Sequence, residues 1–137
     1  MRIFVDSSVV LKSLLNGDSA MSGIAQAEQV GASELLEIEC KRVLQRERLE
    51  SHLDDLQYSE SVVLLDAVLD RLYMIELGPA VKRRAAEPFP TVIGALDAIH
   101  LASALLWRDL DASSDLRILT YDRQLATCAR AMGVETL

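Results

Sequence analysis

Hydrophobic positions in this chain fall into short runs rich in apolar residues and into longer stretches with helical spacing. The short runs cover residues 3–5, 73–77, 116–120 and 134–137, and their length is typical of buried strands. Gly78-Pro79 ends the second run, and an aspartate follows closely on the first and the third. The pattern therefore predicts four strands.

Between these runs, apolar residues recur at the spacing of an amphipathic helix. One helix is predicted to begin at Ser7 and Ser8 and to stop at Asn16-Gly17. Further helices are predicted over approximately residues 19–29, 34–48, 59–71, 80–86, 95–107 and 122–132. Residues 31–33, Gly-Ala-Ser, are predicted to be a break between two helices, and Ser33 could cap the second of them.

The alternation of strands and helices is typical of parallel strands joined by helical crossovers. The expected fold class is therefore α/β, a three-layer α/β/α sandwich around a small, mostly parallel sheet. The sequence contains no internal repeat, low-complexity tract or linker that would separate two domains. We therefore expect a single domain over residues 1–137.

Composition indicates which residues form the core and in which compartment the protein functions. Half of the 137 residues are hydrophobic but only 4% are aromatic, so the core must consist mainly of Leu, Val, Ile and Ala. Cys40 and Cys128 have neither disulfide nor zinc-site spacing, and a reducing cytoplasm is the simplest compartment. The apolar residues before Asp6 are too few for a signal peptide, and no run has the length of a membrane span.

The charge balance restricts how the protein could meet nucleic acid. The net charge is −7, from 21 acidic and 14 basic residues, which disfavours a tight binder that acts by neutralising phosphates. The acidic balance is less of an argument against an enzyme that contacts nucleic acid locally through a bound metal. It is also compatible with a basic protein partner. The basic cluster Lys82-Arg83-Arg84 is predicted to be a solvated helix face, with RNA contact as the minor alternative.

Four carboxylates lie where an acidic side chain has no ordinary structural role. Asp6 and Asp122 each lie at a junction between a predicted strand and a helix, and ligands of open parallel sheets bind beyond the carboxyl ends of the strands. A helix N-cap is the alternative for both, and it is the stronger explanation of Asp122 taken alone. Ser7 and Ser8, which follow Asp6, could orient it or contact a metal-bound water, with a simple place in the helix start as the alternative. Thr120 offers a hydroxyl beside Asp122.

Helical phase separates Glu39 from the acids near it. At about 100° per residue, Glu39 falls within the apolar face of its helix, whereas Glu34 and Glu37 point away from that face. Arg42 lies on the same side of the helix and could tether Glu39 or contact a substrate phosphate. A solvated Glu–Arg helix pair is the structural alternative.

Asp97 and His100 are the only ionisable residues between positions 91 and 107, in a helix that is apolar all round. Two structural roles would explain Asp97: a hydrogen bond to His100, or a cap of the first helical turn. The buried setting favours a functional Asp97. His100 is predicted to be a satisfied core histidine or a residue that supports the site.

Convergence of the four acids would create a site for a hard divalent cation, because buried unpaired carboxylates are costly and Mg²⁺ prefers oxygen ligands. One or two Mg²⁺ or Mn²⁺ ions there could activate water and stabilise the leaving oxygen of a phosphodiester. The predicted catalytic and metal-binding residues are Asp6, Glu39, Asp97 and Asp122. The predicted supporting residues or substrate contacts are Ser7, Arg42, His100 and Thr120.

Four segments in the same order resemble the PIN-domain family, especially its VapC-type toxin ribonucleases: IFVDSSVVLK, SELLEIECKRVL, ALDAIHLASAL and ILTYDRQLATCARAMGV. The resemblance implies a metal-dependent endoribonuclease whose acidic quartet is Asp6, Glu39, Asp97 and Asp122. It implies a small parallel sheet between helices. It also implies a homodimer that is the toxin of a type II toxin–antitoxin pair, with an antitoxin that blocks the site.

Three other functions stay open from the sequence. They are an RNA-processing PIN nuclease outside a toxin–antitoxin pair, a catalytically inactive PIN module that only binds a partner, and a phosphoaspartyl phosphatase. The intact set of acids disfavours the inactive module. The phosphatase class needs a second aspartate two residues after the first, and Ser8 occupies that position here.

Overall fold

The computed structural model describes all residues, 1–137, and contains five strands and six α-helices. The strands are β1 (Arg2–Val5), β2 (Gln29–Ser33), β3 (Tyr73–Ile75), β4 (Leu116–Leu119) and β5 (Glu135–Thr136). The helices are α1 (Ser7–Asn16), α2 (Leu35–Leu49), α3 (Asp55–Leu69), α4 (Pro79–Ala86), α5 (Ala95–Leu110) and α6 (Arg123–Ala131). A 3₁₀ turn, Ala20–Ile24, follows α1.

The five strands form one sheet in the order β3-β2-β1-β4-β5, and every neighbouring pair is parallel. After β1 the chain extends the sheet to one side through β2 and β3, and then crosses over to β4 on the other side of β1. The strand order therefore reverses at β1, which is where open parallel sheets bind ligands. Val5 pairs with Leu119, so the segments after β1 and β4 leave the sheet side by side.

Helices cover both faces of the sheet, because side chains of a strand alternate between its two faces. Phe4 of β1 faces α5 and α6, in a core cluster with Leu101, Ala104, Leu105, Trp107, Leu116, Ile118, Leu125, Cys128, Ala129 and Val134. Ile3 and Val5 face α1, α2 and α3, in a second cluster with Val10, Ala32, Leu36, Cys40, Leu44 and Leu65. The predicted α/β/α sandwich and its mainly aliphatic core are confirmed.

The end of α5 is fixed by the buried guanidinium of Arg2. Its Nη1 donates a hydrogen bond to the carbonyl oxygen of Trp107 at 2.8 Å, and its Nη2 donates to that of Asp111 at 2.7 Å. These carbonyls lie at the C-terminal end of the helix, where a cation is favourable. The contact ties α5 to β1 and so fixes the helix that carries Asp97.

The predicted helix over residues 19–29 is wrong. Residues 20–24 form the 3₁₀ turn, and residues 29–33, which include the predicted break at 31–33, form the strand β2. This strand lies between β1 and β3 in the sheet. The β2 sequence, QVGAS, has weak strand propensity, since Gly and Ala are depleted in strands. Pairing with a parallel strand on each side satisfies its backbone groups, and this tertiary context overrides the local preference.

Smaller differences concern the ends of helices. Helix α3 begins at Asp55, four residues before the predicted start, because Asp54 and Gln57 form a capping box. Helix α1 stops at Gly17 as predicted, with the left-handed φ of 64° that glycine adopts readily. Cys40 and Cys128 are buried free thiols, in agreement with the absence of disulfide spacing. None of the helices combines the length and the apolar character needed to cross a membrane.

Candidate active site

Asp6 lies at the carboxyl end of β1, immediately before α1, and only 3% of it is exposed. Its side chain makes no capping hydrogen bond to the helix, so the N-cap alternative does not explain this residue. Instead, Oδ1 accepts a hydrogen bond from the Ser8 hydroxyl at 2.6 Å, and Oδ2 accepts one from the Thr120 hydroxyl at 2.7 Å. The carboxylate is therefore held at both oxygens.

The two hydroxyls that hold Asp6 are themselves oriented by backbone. Ser8 Oγ accepts the Tyr121 N–H at 3.0 Å, and Thr120 Oγ1 accepts the Asp122 N–H at 3.0 Å. Because each hydroxyl oxygen already accepts from an N–H, its own proton is left to donate to the carboxylate. The chain after β4 and the start of α1 are joined through Asp6.

Thr120 lies beside the acids as the sequence predicted, whereas the serine that contacts Asp6 is Ser8. The Ser7 hydroxyl makes no hydrogen bond in this structure, and its predicted substrate contact stays a prediction. The sequence offered both serines after Asp6 as residues that could orient it, and the structure assigns this contact to Ser8, two residues after the aspartate.

Burial sets the ionisation of Asp6. Loss of water contact raises the pKa of Asp6 above its ordinary value, and the hydrogen bonds from Ser8 and Thr120 oppose that rise. The neighbouring thiol of Cys40 has a pKa raised to about 12 by burial and by the charges of Glu39 and Asp6. Cys40 is therefore a neutral core residue and has no role as a nucleophile.

Asp122 precedes α6 and caps it, since its Oδ1 accepts the Leu125 N–H at 3.0 Å. The alternative explanation of Asp122 as an N-cap is therefore confirmed. The cap engages one carboxylate oxygen, and Oδ2 makes no hydrogen bond within the protein. A cap with one remaining oxygen leaves a carboxylate that is fixed in direction and still able to bind a ligand.

Glu39 is paired with His100 and not with Arg42. The Nε2 of His100 is hydrogen-bonded to Glu39 Oε1, and the exposed fractions of the two side chains are 2% and 20%. Arg42 is exposed and makes no ion pair with Glu39, so neither the structural alternative of a Glu–Arg pair nor the tether by Arg42 is realised, and its contact with a substrate phosphate stays a prediction. The reason is tertiary, because α5 brings His100 to the inward face of α2.

The surroundings of His100 indicate which of its nitrogens carries the proton. Nδ1 is buried without a hydrogen-bond partner, while Nε2 faces the Glu39 carboxylate. A proton on Nε2 donates to the carboxylate and leaves only a lone pair on Nδ1, so no buried N–H goes unpaired. The ring also meets Phe4 edge-on, with centroids 6.4 Å apart. His100 thus holds Glu39 from the core, as predicted for a supporting residue.

Asp97 lies in the first turn of α5 and makes neither a hydrogen bond nor an ion pair. Neither structural explanation of this residue, a cap or a bond to His100, is therefore realised. Burial raises the pKa of Asp97 to about 6, the charge of Asp122 adds to the rise, and Asp6 and Glu39 contribute further. The other three predicted acids therefore lie within electrostatic reach of Asp97.

The acids fit a hydrated divalent cation. No lysine or arginine forms an ion pair with any of the four, and His100, which is paired with Glu39, is the one basic side chain in contact with them. No three of their ligand atoms lie within 4.8 Å of one another, a spacing met only by Glu47, Glu50 and His52 at the exposed end of α2. Mg²⁺ is usually bound by one or two carboxylates and keeps several waters, so with this spacing at most two of the acids would bind it directly and the others would bind its waters.

Replacing Thr120 with valine should destabilise the fold by about 1–3 kcal/mol, because the Asp122 N–H and one oxygen of buried Asp6 lose their partner. Urea unfolding measures the difference in free energy. Thr120→Ser keeps the hydroxyl and should cost clearly less. Equal losses in the two variants would mean that the methyl group, and not the hydrogen bonds, stabilises this junction.

Comparison with known families gives one match over nearly the whole chain. A family model described as PIN domain matches residues 3–134. A search of curated protein sequences finds no match to this chain.

Solved structures from three organisms share the fold. PAE2754 from Pyrobaculum aerophilum is 22% identical with a TM-score of 0.65, over 99% of this chain and 83% of that chain. VapBC2 from Rickettsia felis, bound to a DNA fragment from their promoter, is 11% identical with a TM-score of 0.70, over 100% of this chain and 98% of that chain. VapBC-1 from nontypeable Haemophilus influenzae is 11% identical with a TM-score of 0.61, over 100% of this chain and 97% of that chain.

Proposed function

Because this chain belongs to the PIN domain family, whose members are generally nucleases, we propose that it is a metal-dependent endoribonuclease that hydrolyses RNA phosphodiester bonds. The observation that carries the proposal is the cluster of acids at the carboxyl edge of the sheet. There the Asp97 anion is destabilised first by burial and then by the charges of Asp122, Asp6 and Glu39, and no lysine or arginine is paired with any of the four. A divalent cation would relieve that repulsion.

The catalytic residues of this proposal are Asp6, Glu39, Asp97 and Asp122, which would also hold the metal. Mg²⁺ or Mn²⁺, when bound, supplies a Lewis acid that activates water and neutralises charge on the phosphate. The protein's own part is to fix the acids in advance: hydroxyls hold Asp6, His100 holds Glu39, and α6 holds Asp122. Fixed ligands need no reorganisation when substrate arrives.

A nuclease assay on structured RNA tests this function. The wild-type protein should cleave RNA with Mg²⁺ or Mn²⁺ and stop when a chelator removes the metal, and Asp6→Asn should be inactive because one ligand charge is lost. Asp66→Asn, on the exposed side of α3, is the matched control and should cleave normally. Metal-dependent cleavage that survives in Asp6→Asn would refute the assignment.

We propose that the protein is the toxin of a type II toxin–antitoxin pair and pairs with an antitoxin. Two of the solved structures with the same fold are named VapBC, and this chain covers 98% and 97% of the chains it resembles. A net charge of −7 would suit a basic partner. If the adjacent reading frame encodes a small basic protein, co-expression should restore growth and the two should co-purify. RNA-processing neighbours without such a partner would favour the alternative function.

We also propose that residues 1–137 form a single nuclease domain and that the protein is a homodimer. Exposed apolar side chains on α3, including Val63 and Leu64, lie beside a cavity of about 510 Å³. Its lining is apolar except for Arg71. Apolar surface of this kind is typical of protein interfaces. Equilibrium sedimentation measures whether the protein alone is a dimer.

A further inference from the structure

Tyr121 is an aromatic residue at the edge of the proposed active site. It follows Thr120, which is bonded to Asp6, and precedes Asp122. Its own N–H donates to Ser8 Oγ, the other hydroxyl that holds Asp6. Thr120 is buried, whereas 42% of Tyr121 is exposed. The backbone of Tyr121 is therefore part of the acidic site, and its ring faces solvent beside that site.

Two further contacts fix the ring. The phenol O–H donates a hydrogen bond to Asp18 Oδ1 at 2.8 Å, and the Lys12 ammonium lies 4.1 Å from the ring centroid. The bond to Asp18 raises the pKa of Tyr121 and helps to lower the pKa of Asp18, so the phenol remains the donor. Lys12 belongs to none of the ion pairs of the structure, and its charge helps to lower the pKa of Asp18. The ring is thus held in place with a cation at one face, and 42% of the residue is exposed.

We propose that Tyr121 is the stacking surface for a base of single-stranded RNA next to the bond that is cleaved; this inference rests on the proposed ribonuclease function. Proteins that hold single-stranded nucleic acid stack bases on aromatic rings beside local cations. A ring that is already fixed loses little conformational entropy on binding. In a protein with net charge −7, Lys12 provides a local cation for the phosphate of the stacked nucleotide.

If Tyr121 had a purely structural role, the expected effect of replacing it with phenylalanine would be the opposite of the effect expected for base stacking. In that case the residue only ties the turn after α1 to the turn after β4 through its hydroxyl and Asp18. Phenylalanine removes this hydrogen bond but keeps the ring. Tyr121→Phe should therefore behave like wild type if the ring stacks on RNA, and like Tyr121→Ala if the hydrogen bond is what matters.

Steady-state cleavage of RNA separates the two roles. Tyr121→Ala should raise KM by roughly 5- to 150-fold, the range for loss of one stacked base, with kcat unchanged. Tyr121→Phe should keep the wild-type KM. Tyr73→Ala is the matched control, because Tyr73 is 45% exposed but lies at the amino end of β3, stacked on Trp107, and its loss should leave KM unchanged.

A spectroscopic measurement reports stacking directly. The RNA that the wild-type protein cleaves is labelled with 2-aminopurine at each position beside the cleavage site in turn, and bound without divalent metal. Fluorescence at one position should be quenched by wild type and Tyr121→Phe, and not by Tyr121→Ala. Wild-type cleavage with an unchanged KM and quenching in Tyr121→Ala overturns this inference alone. Failure of the wild-type protein to bind or cleave RNA overturns the proposed function together with it.

Discussion

Asp97→Asn should remove metal-dependent RNA cleavage and at the same time stabilise the metal-free protein. Loss of a ligand charge should lower kcat/KM by roughly a hundredfold to ten-thousandfold, since metal catalysis contributes several kcal/mol. Stability should change in the opposite direction, because Asp97 has no hydrogen bond or ion pair to lose, and its charge is disfavoured first by burial and then by the three other acids. This combination is the stability–activity trade-off expected at an active site.

The pH dependence of this effect follows from the pKa of Asp97, which rises from 3.8 to about 6. Below pH 4 the side chain is protonated whether the chain is folded or unfolded, so asparagine changes little. As the pH rises through 6 the folded protein must carry the unfavourable charge, and this part of its stability is lost. Above pH 6 we expect Asp97→Asn to be more stable by about 1 kcal/mol, after allowing for solvent screening of this half-buried group.

Metal should reverse the order of stability. Mg²⁺ that binds only the folded form should raise the wild-type Tm at neutral pH, and Asp97→Asn should respond much less. Thermal unfolding with and without millimolar Mg²⁺, at pH 4 and at pH 7, measures all of these differences. Asp109→Asn, an exposed acid on the same helix, is the control and should change neither Tm nor cleavage. A destabilised Asp97→Asn protein would contradict the proposed repulsion.

Gly31→Ala should destabilise the fold by about 1–3 kcal/mol, because the sheet has no room for one additional methyl group at this position. A Cβ there would lie 2.7 Å from Cζ3 and Cη2 of Trp107. The indole has little freedom to move aside, since it is buried, stacked on Tyr73, and covered by the Arg2 guanidinium at 4.9 Å. For a chain of this length we expect Tm to fall by about 3–5 °C per kcal/mol.

A second glycine and a second substitution test the cause of that loss. Gly23→Ala is the matched control, because no atom lies within 4 Å of a Cβ at that position. A smaller ring should relieve the clash, so the double variant Gly31→Ala/Trp107→Phe should lose less stability than the sum of the two single variants. Additive losses would mean that Gly31 is required for a reason other than its contact with Trp107.

Most of the fold could be predicted from the sequence, because its signals are local. Four of the five strands and all six helices follow from hydrophobic periodicity, capping residues and the turns at Asn16-Gly17 and Gly78-Pro79. The strand β2 could not be predicted in this way. Its residues have little strand propensity, and its place in the sheet depends on β1 and β3 and on the indole of Trp107 against Gly31.

The candidate site, too, has one part that the sequence could predict and another that it could not. Helical phase and strand ends identified the acids, since both are properties of short segments. Their partners come from distant parts of the chain: Thr120 bonds to Asp6 across 114 positions, and His100 to Glu39 across 61. Helical spacing alone offered Arg42 as one candidate tether for Glu39, because the two residues are neighbours on one helix, and it could not identify His100 as the partner.

The sequence by itself determined where the carboxylates lie along the chain and that apolar segments surround them. Only the tertiary structure decided that they share one edge of the sheet, that hydroxyls and an imidazole hold them, and that no lysine or arginine is paired with them. The physical reason is that periodicity and capping act over a few residues, whereas charge repulsion and hydrogen bonds between elements depend on strand order and register. The reversal of strand order at β1 brings Asp6 beside Thr120.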